Sequence, residues 1–101
     1  MSISTSAVAV LARHRVEREI ALVAPSIDGW LRRWVAATIA NDETTPDELF
    51  CIADSLTGMA TLRAMPAAGD PTPAHEAQQQ AAELQKMARL VATRARLRVV
   101  P

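Results

Sequence analysis

Apolar residues recur along this chain at intervals of three and four in four blocks, and prolines stand between the blocks. The first block, residues 4–24, puts Val16, Ile20 and Val23 on one stripe, continued by Ala9 and Ala12, which predicts an amphipathic helix. Arg13–Glu17 and Arg15–Glu19 are spaced i,i+4 on its outer surface, where such a pair contributes about 0.2–0.5 kcal/mol. Pro25 ends the block, because the residue before a proline is pushed out of the α region. The second block, residues 26–40 with Ser26 as N-cap, has the strongest pattern. Ile27, Trp30, Leu31, Trp34, Val35, Thr38 and Ile39 share one face, and Asp28, Arg32, Arg33 and Ala37 the other.

Thr45-Pro46-Asp47-Glu48 opens the third block, residues 45–64. Thr at N-cap, Pro at the first helical position and Glu at the third form a capping box, and two acids in the first turn suit the helix dipole. Leu49, Ile52, Ala53, Leu56, Met59 and Ala60 form its apolar stripe. Thr57, Gly58, Thr61 and Ala64 add a strip of small residues. Glycine inside a helix costs about 1 kcal/mol relative to Ala, so a close helix–helix contact at Gly58 is expected. Residues 65–71 read as a linker rich in Pro and Gly, the most mobile stretch of the chain. Thr72-Pro73 then starts a fourth block, residues 72–96, whose stripe is mainly alanine: Ala74, Ala77, Ala81, Leu84, Ala88, Val91 and Ala95, broadened by Met87 and Leu90. From Arg94 onward polar and apolar residues alternate. That suits a strand-like or disordered tail over residues 97–101 as well as a helix.

The expected fold is therefore all-α, one domain over residues 1–101, built as a small four-segment helical bundle or a pair of helical hairpins. Composition changes this picture in one respect. Half of the 101 residues are hydrophobic, but alanine supplies much of that, and the aromatics are only Trp30, Trp34 and Phe50. Burial contributes about 25 cal/mol per Å² of apolar surface, so an alanine-rich core is thin. Dimerisation, or docking on a larger protein, would complete it.

Net charge is zero, which gives no global attraction to nucleic acid. The charge is nevertheless segregated: Asp42, Glu43, Asp47, Glu48 and Asp54 in the middle, Lys86, Arg89, Arg94, Arg96 and Arg98 at the end. Arg outnumbers Lys ten to one, a bias of GC-rich bacterial or phage genomes. The single cysteine, Cys51, excludes an intrachain disulfide and, lying in Leu49-Phe50-Cys51-Ile52, reads as a buried thiol. No signal-peptide pattern surrounds the short apolar run Ala7–Ala12, and no stretch approaches the about 18 apolar residues of a membrane span. A reducing cytoplasm is the expected location, with no membrane contact.

Candidate chemistry is sparse. His14 and His75 have no companions at metal-ligand spacing and read as surface or capping residues. No base accompanies Cys51, no carboxylate pair sits on an apolar face, and no glycine-rich phosphate loop occurs. No catalytic residue, metal or cofactor is expected, and the protein is read as a non-enzyme. Trp30-Leu31-Arg32-Arg33-Trp34 stands out instead. Two core tryptophans are the plainest reading; an interface anchor, where Trp and Arg are enriched, is the second; a stacking platform for nucleic acid is the third.

Ile52-Ala53-Asp54-Ser55-Leu56-Thr57-Gly58-Met59-Ala60-Thr61-Leu62-Arg63 faintly resembles a helix-turn-helix, with Gly58 at the turn and Thr61-Leu62-Arg63 opening a recognition helix. Here the glycine comes one residue late, and the apolar stripe runs on through the turn, which favours one uninterrupted helix. The function expected from the sequence is protein binding: a small bacterial or phage adaptor, inhibitor or chaperone-like subunit that homodimerises or docks on a larger assembly. Its expected partner-binding residues are Trp30, Arg33, Trp34, Lys86, Arg89, Arg94, Arg96 and Arg98. The alternative is a nucleic-acid-binding transcriptional regulator using the degenerate motif or the Arg-rich end.

Overall fold

The computed structural model describes residues 5–65 and 75–99. It contains α1 (Thr5–Val23), α2 (Gly29–Ala40), α3 (Pro46–Ala64) and α4 (His75–Val99). The expected linker beyond Met65, the Thr72-Pro73 helix start, Ala74 and the last two residues of the chain lie outside the described residues. Helices α1 and α2 form one hairpin, α3 and α4 a second and more extensive one, and α1 also touches α4. Bonds at both ends of α2 show that it runs parallel to α4, from Ser26 beside Glu83 to Ile39 beside Arg98. Among the described residues, no helix is long and apolar enough to cross a membrane.

One core joins the hairpins. Ile20, Val35, Leu49, Leu84, Met87 and Val91 are its largest fully buried side chains. Alanine contributes Ala24, Ala36, Ala53, Ala60, Ala81, Ala88 and Ala95, and the sole aromatic packed against the core, Phe50, is only partly buried. The thin core expected from composition is what the helices enclose.

Helix starts follow local chemistry where nothing distant competes. Thr45 caps α3 by accepting the Glu48 N–H at 3.2 Å, with Pro46 in the first turn. At α2 the expected N-cap, Ser26, is displaced. The helix begins at Gly29 with Asp28 at the cap position, and Asp28 makes no side-chain cap bond. The reason lies 57 residues away: the Ser26 N–H donates to Glu83 Oε1 at 2.7 Å, and Gln79 Nε2 donates to Ser26 Oγ at 3.1 Å. Ser26 is held in a turn, and Ile27 still reaches the core.

At the other end, α4 stays helical to Val99, past the expected end near Arg96, and residues 97–99 are no tail. Its alternating sequence is read by a helix that buries Ala95, leaves Leu97 and Val99 exposed, and swings Arg98 toward the end of α2. The expected surface pairs of α1 are replaced. Glu17 faces His14 Nδ1 at 3.4 Å, and Glu19 binds Arg94 of α4. Ala9 lies exposed rather than on the core stripe, because α1 is covered from Val16 onward and its first turns are not.

Gly58 is also corrected. It is exposed, and a methyl group built there would meet nothing within 4 Å. Among the described residues no helix packs on Gly58; Thr57 and Thr61 bond back to the carbonyls of Ala53 and Thr57. Gly58→Ala is therefore expected to stabilise the fold by about 1 kcal/mol through helix propensity alone. In a domain of this size that raises the melting temperature by about 4–8 °C. A lower melting temperature would show that something covers Gly58 in solution.

Candidate protein-binding surface

The buried arc of α2 consists of Leu31, Val35, Ala36 and Ile39, with Ile27 just before the helix. Trp30 and Trp34 fall at its edge, one turn apart on the side toward α3. They are 61% and 52% exposed, so the reading of two core tryptophans is overturned. The inner edge of Trp30 lies at a small cleft of about 50 Å³ where α2, α3 and α4 meet, with Met59 and Leu84 among its walls. Arg63 of α3 donates to Gln80 of α4 across the same cleft and ties its far side. The Trp34 carbonyl accepts the Thr38 hydroxyl at 2.9 Å one turn further along α2.

The remaining residues expected to bind a partner do not join this face. Arg33 folds back over Gly29 at the head of α2, in the groove between α1 and α2. Arg94 is ion-paired with Glu19 on α1. Arg98 donates to the carbonyls of Ile39, Asn41 and Thr44, at 3.1 Å for Asn41. It thereby ties the C-terminal end of α2, the end of a helix that favours a cation, to the turn that follows it. Arg89 and Arg96 line a groove between α3 and α4 of about 380 Å³, with Phe50 and Asp54 opposite, and Lys86 is exposed on the same helix. Seven of the eight residues thus divide among five places: the tryptophan edge, the α1–α2 groove, the α1–α4 contact, the end of α2 and the α3–α4 groove; Lys86 stands apart on the exposed surface of α4. Sequence proximity hid this, because Arg94, Arg96 and Arg98, each two apart on α4, point in different directions around the helix.

Cys51 is exposed rather than buried, one position off the Leu49–Ile52 stripe. The helix-turn-helix resemblance over Ile52–Arg63 has no counterpart, since α3 is unbroken from Pro46 to Ala64. Among the described residues, no group of three or more His, Cys, Asp or Glu is placed to hold a metal ion.

Two features escaped the sequence reading. Glu83 is a buried carboxylate, 5% exposed, that binds the α1–α2 turn. The α1–α2 groove gathers arginines from both helices. The available signal for the groove was Arg18 and Arg32-Arg33 flanking a short Pro25 turn, which folds α1 and α2 face to face. Compared with known proteins, the chain matches no family model, no curated protein and no solved structure.

Proposed function

We propose that this protein is a non-enzymatic protein-binding module, a small adaptor, inhibitor or chaperone-like subunit of bacterial or phage type, that docks through the Trp30–Trp34 edge. The observation that carries the reading is the pair of half-exposed tryptophans on one short helix. Tryptophan is the residue most enriched among interface hot spots, and large aromatic groups seldom stay in water without a use. About half of each side chain's 150–250 Å² remains available for burial on a partner, so covering both would contribute on the order of 5 kcal/mol. That is enough to anchor a complex, and too little alone to overcome the about 4–15 kcal/mol cost of association. The partner must therefore also contact neighbouring surface; Leu62 and Met65, at the end of α3, are further large apolar side chains left exposed. A second copy of the chain is the first partner to test. The setting that suits an exposed, unpaired Cys51 is a reducing cytoplasm.

The test combines light scattering at micromolar concentration with a pull-down from the native host read by mass spectrometry. Trp30→Ala and Trp34→Ala are each expected to weaken self-association or partner capture at least about tenfold. Melting should change little, because both side chains are already half in water. Undiminished binding in both variants would move the interface off α2.

A further inference from the structure

We infer that the groove between α1 and α2 is a binding site for a phosphate monoester, on the side of α2 away from the tryptophans. The groove encloses about 350 Å³ and is lined by Arg18 and His14 from α1 and by Gly29, Arg32 and Arg33 from α2. That volume falls at the lower end of the about 300–1,000 Å³ typical of small-molecule sites.

Four observations converge on an anion. First, the guanidiniums of Arg32 and Arg33 crowd one point. A methyl group built on Gly29 would lie 3.0 Å from Arg33 Nη1 and 3.8 Å from Arg32 Nη2. Two like charges held together are unfavourable unless an opposite charge joins them. Second, Arg32 Nε is buried without an acceptor, a state that costs free energy which an acceptor in the groove would recover. Third, no carboxylate pairs with the three arginines, which outnumber the one acid of the groove. Among the described residues the ion pairs are His14–Glu17 and Arg94–Glu19, so the one acid lining the groove, Glu17, faces His14. Fourth, the groove receives the N-terminus of α2: the Asp28 carbonyl accepts the Leu31 and Arg32 N–H groups, but Asp28 makes no side-chain cap bond to the start of the helix. Helix N-termini favour anions through those donors and the helix dipole.

The number of donors selects the anion. A carboxylate offers two oxygens and one charge. Two guanidinium forks, a helix N-terminus and Arg18 match an ion with three oxygens and nearly two charges, which a phosphate monoester presents. Gly29, with no Cβ, lets the Arg33 guanidinium lie against the helix end, where a side chain at this position would meet it.

The probes are inorganic phosphate, phenyl phosphate, acetate and a blunt DNA duplex without terminal phosphates, titrated at constant ionic strength into the isotope-labelled full chain. The Gly29 amide and the Arg32 Nε–H signals report binding. Saturable shifts of both are expected with phosphate and phenyl phosphate, and weaker, unsaturated ones with acetate. Arg32→Gln should weaken phenyl phosphate binding at least tenfold, and Arg18→Gln, at an exposed position, should weaken it several-fold with melting unchanged. Arg89→Gln, in the groove between α3 and α4, should leave it intact. Equal responses to acetate and phosphate, or equal losses in Arg18→Gln and Arg89→Gln, would overturn the site. Tighter binding of the duplex than of phenyl phosphate at the same two signals would overturn the monoester and assign the groove to a phosphodiester backbone.

Discussion

Arg98→Ala is expected to lower stability by about 3 kcal/mol, although Arg98 stands three residues from the end of the chain. Its guanidinium donates to Ile39, Asn41 and Thr44, three carbonyls at the end of α2 and in the turn to α3. The last carbonyls of any helix lack intrahelical partners, and a cation there also meets the negative end of the helix dipole. Hydrogen bonds to a charged group contribute about 1.5–3 kcal/mol each, but they are not additive, and this side chain is partly solvated, so the sum falls short of three full bonds. The turn has other supports that survive the substitution. The Thr44 hydroxyl donates to Thr38 O at 2.8 Å, and Asn41 Oδ1 accepts the Glu43 N–H at 3.0 Å. What is lost is the tie between the two hairpins at this end. Arg98→Lys should recover only a fraction, since one ammonium cannot span three carbonyls as a planar fork does. Urea denaturation measures the effect: the midpoint should fall, with the slope unchanged. A loss below about 0.5 kcal/mol, the usual range of a surface substitution, would mean that α4 does not clamp α2.

The helices were legible because burial imposes a period. Leu49, Ala53, Leu56 and Ala60, or Leu84, Met87, Ala88, Val91 and Ala95, can all face inward only on a helix. Thr45-Pro46 was legible because a cap and a first-turn proline are local devices. Ser26 failed as a cap for the opposite reason. Ser26 and Asp28 are both acceptable caps by local rules, and a bond from Glu83 decides between them. Trp30 and Trp34 failed as core residues because an amphipathic pattern defines a direction and not an arc width. The neighbours of α2 cover the arc from Leu31 to Ala36 and stop short of the tryptophans. The same limit applies to Ala9, where the stripe continues but only borders an open groove beside the end of α2.

The basic residues teach a related lesson. Five cations between Lys86 and Arg98 read as one patch in sequence, yet Arg94 and Arg98 are consumed by internal bonds and Arg89 and Arg96 face another groove. The arginines that do gather come from α1 and α2, separated by the Pro25 turn. Charge clustering in space follows helix pairing, and the pairing of α1 with α2 is set by Ala24, Ile27 and their neighbours in the core, not by the charges themselves.

That pairing depends on the turn between α1 and α2, and the second large effect is expected there. Glu83→Ala should cost about 2–3 kcal/mol. Glu83 is buried among apolar residues of α4, and its two oxygens accept from the Ser26 N–H at 2.7 Å and from Gln79 Nε2 at 3.2 Å. Truncation removes a charge-assisted bond and leaves a partly buried N–H without its acceptor. Glu83→Gln should cost less but not nothing. Its amide oxygen can still accept from Ser26, while its NH₂ would face the NH₂ of Gln79, donor against donor. Hydrogen exchange separates this local role from a general loss of packing. In Glu83→Ala the Ser26 amide and the first-turn amides of α2 should lose protection well beyond the global change, while the Arg98 end of α2 should follow the global change alone. Unchanged protection at Ser26 would show that the turn holds without Glu83. If protection is lost as expected, Gly29 and Trp30, which directly follow this turn, lose the fixed position that both the anion groove and the tryptophan edge require. A buried acid on α4 would then weaken phosphate binding and partner docking together while touching neither ligand.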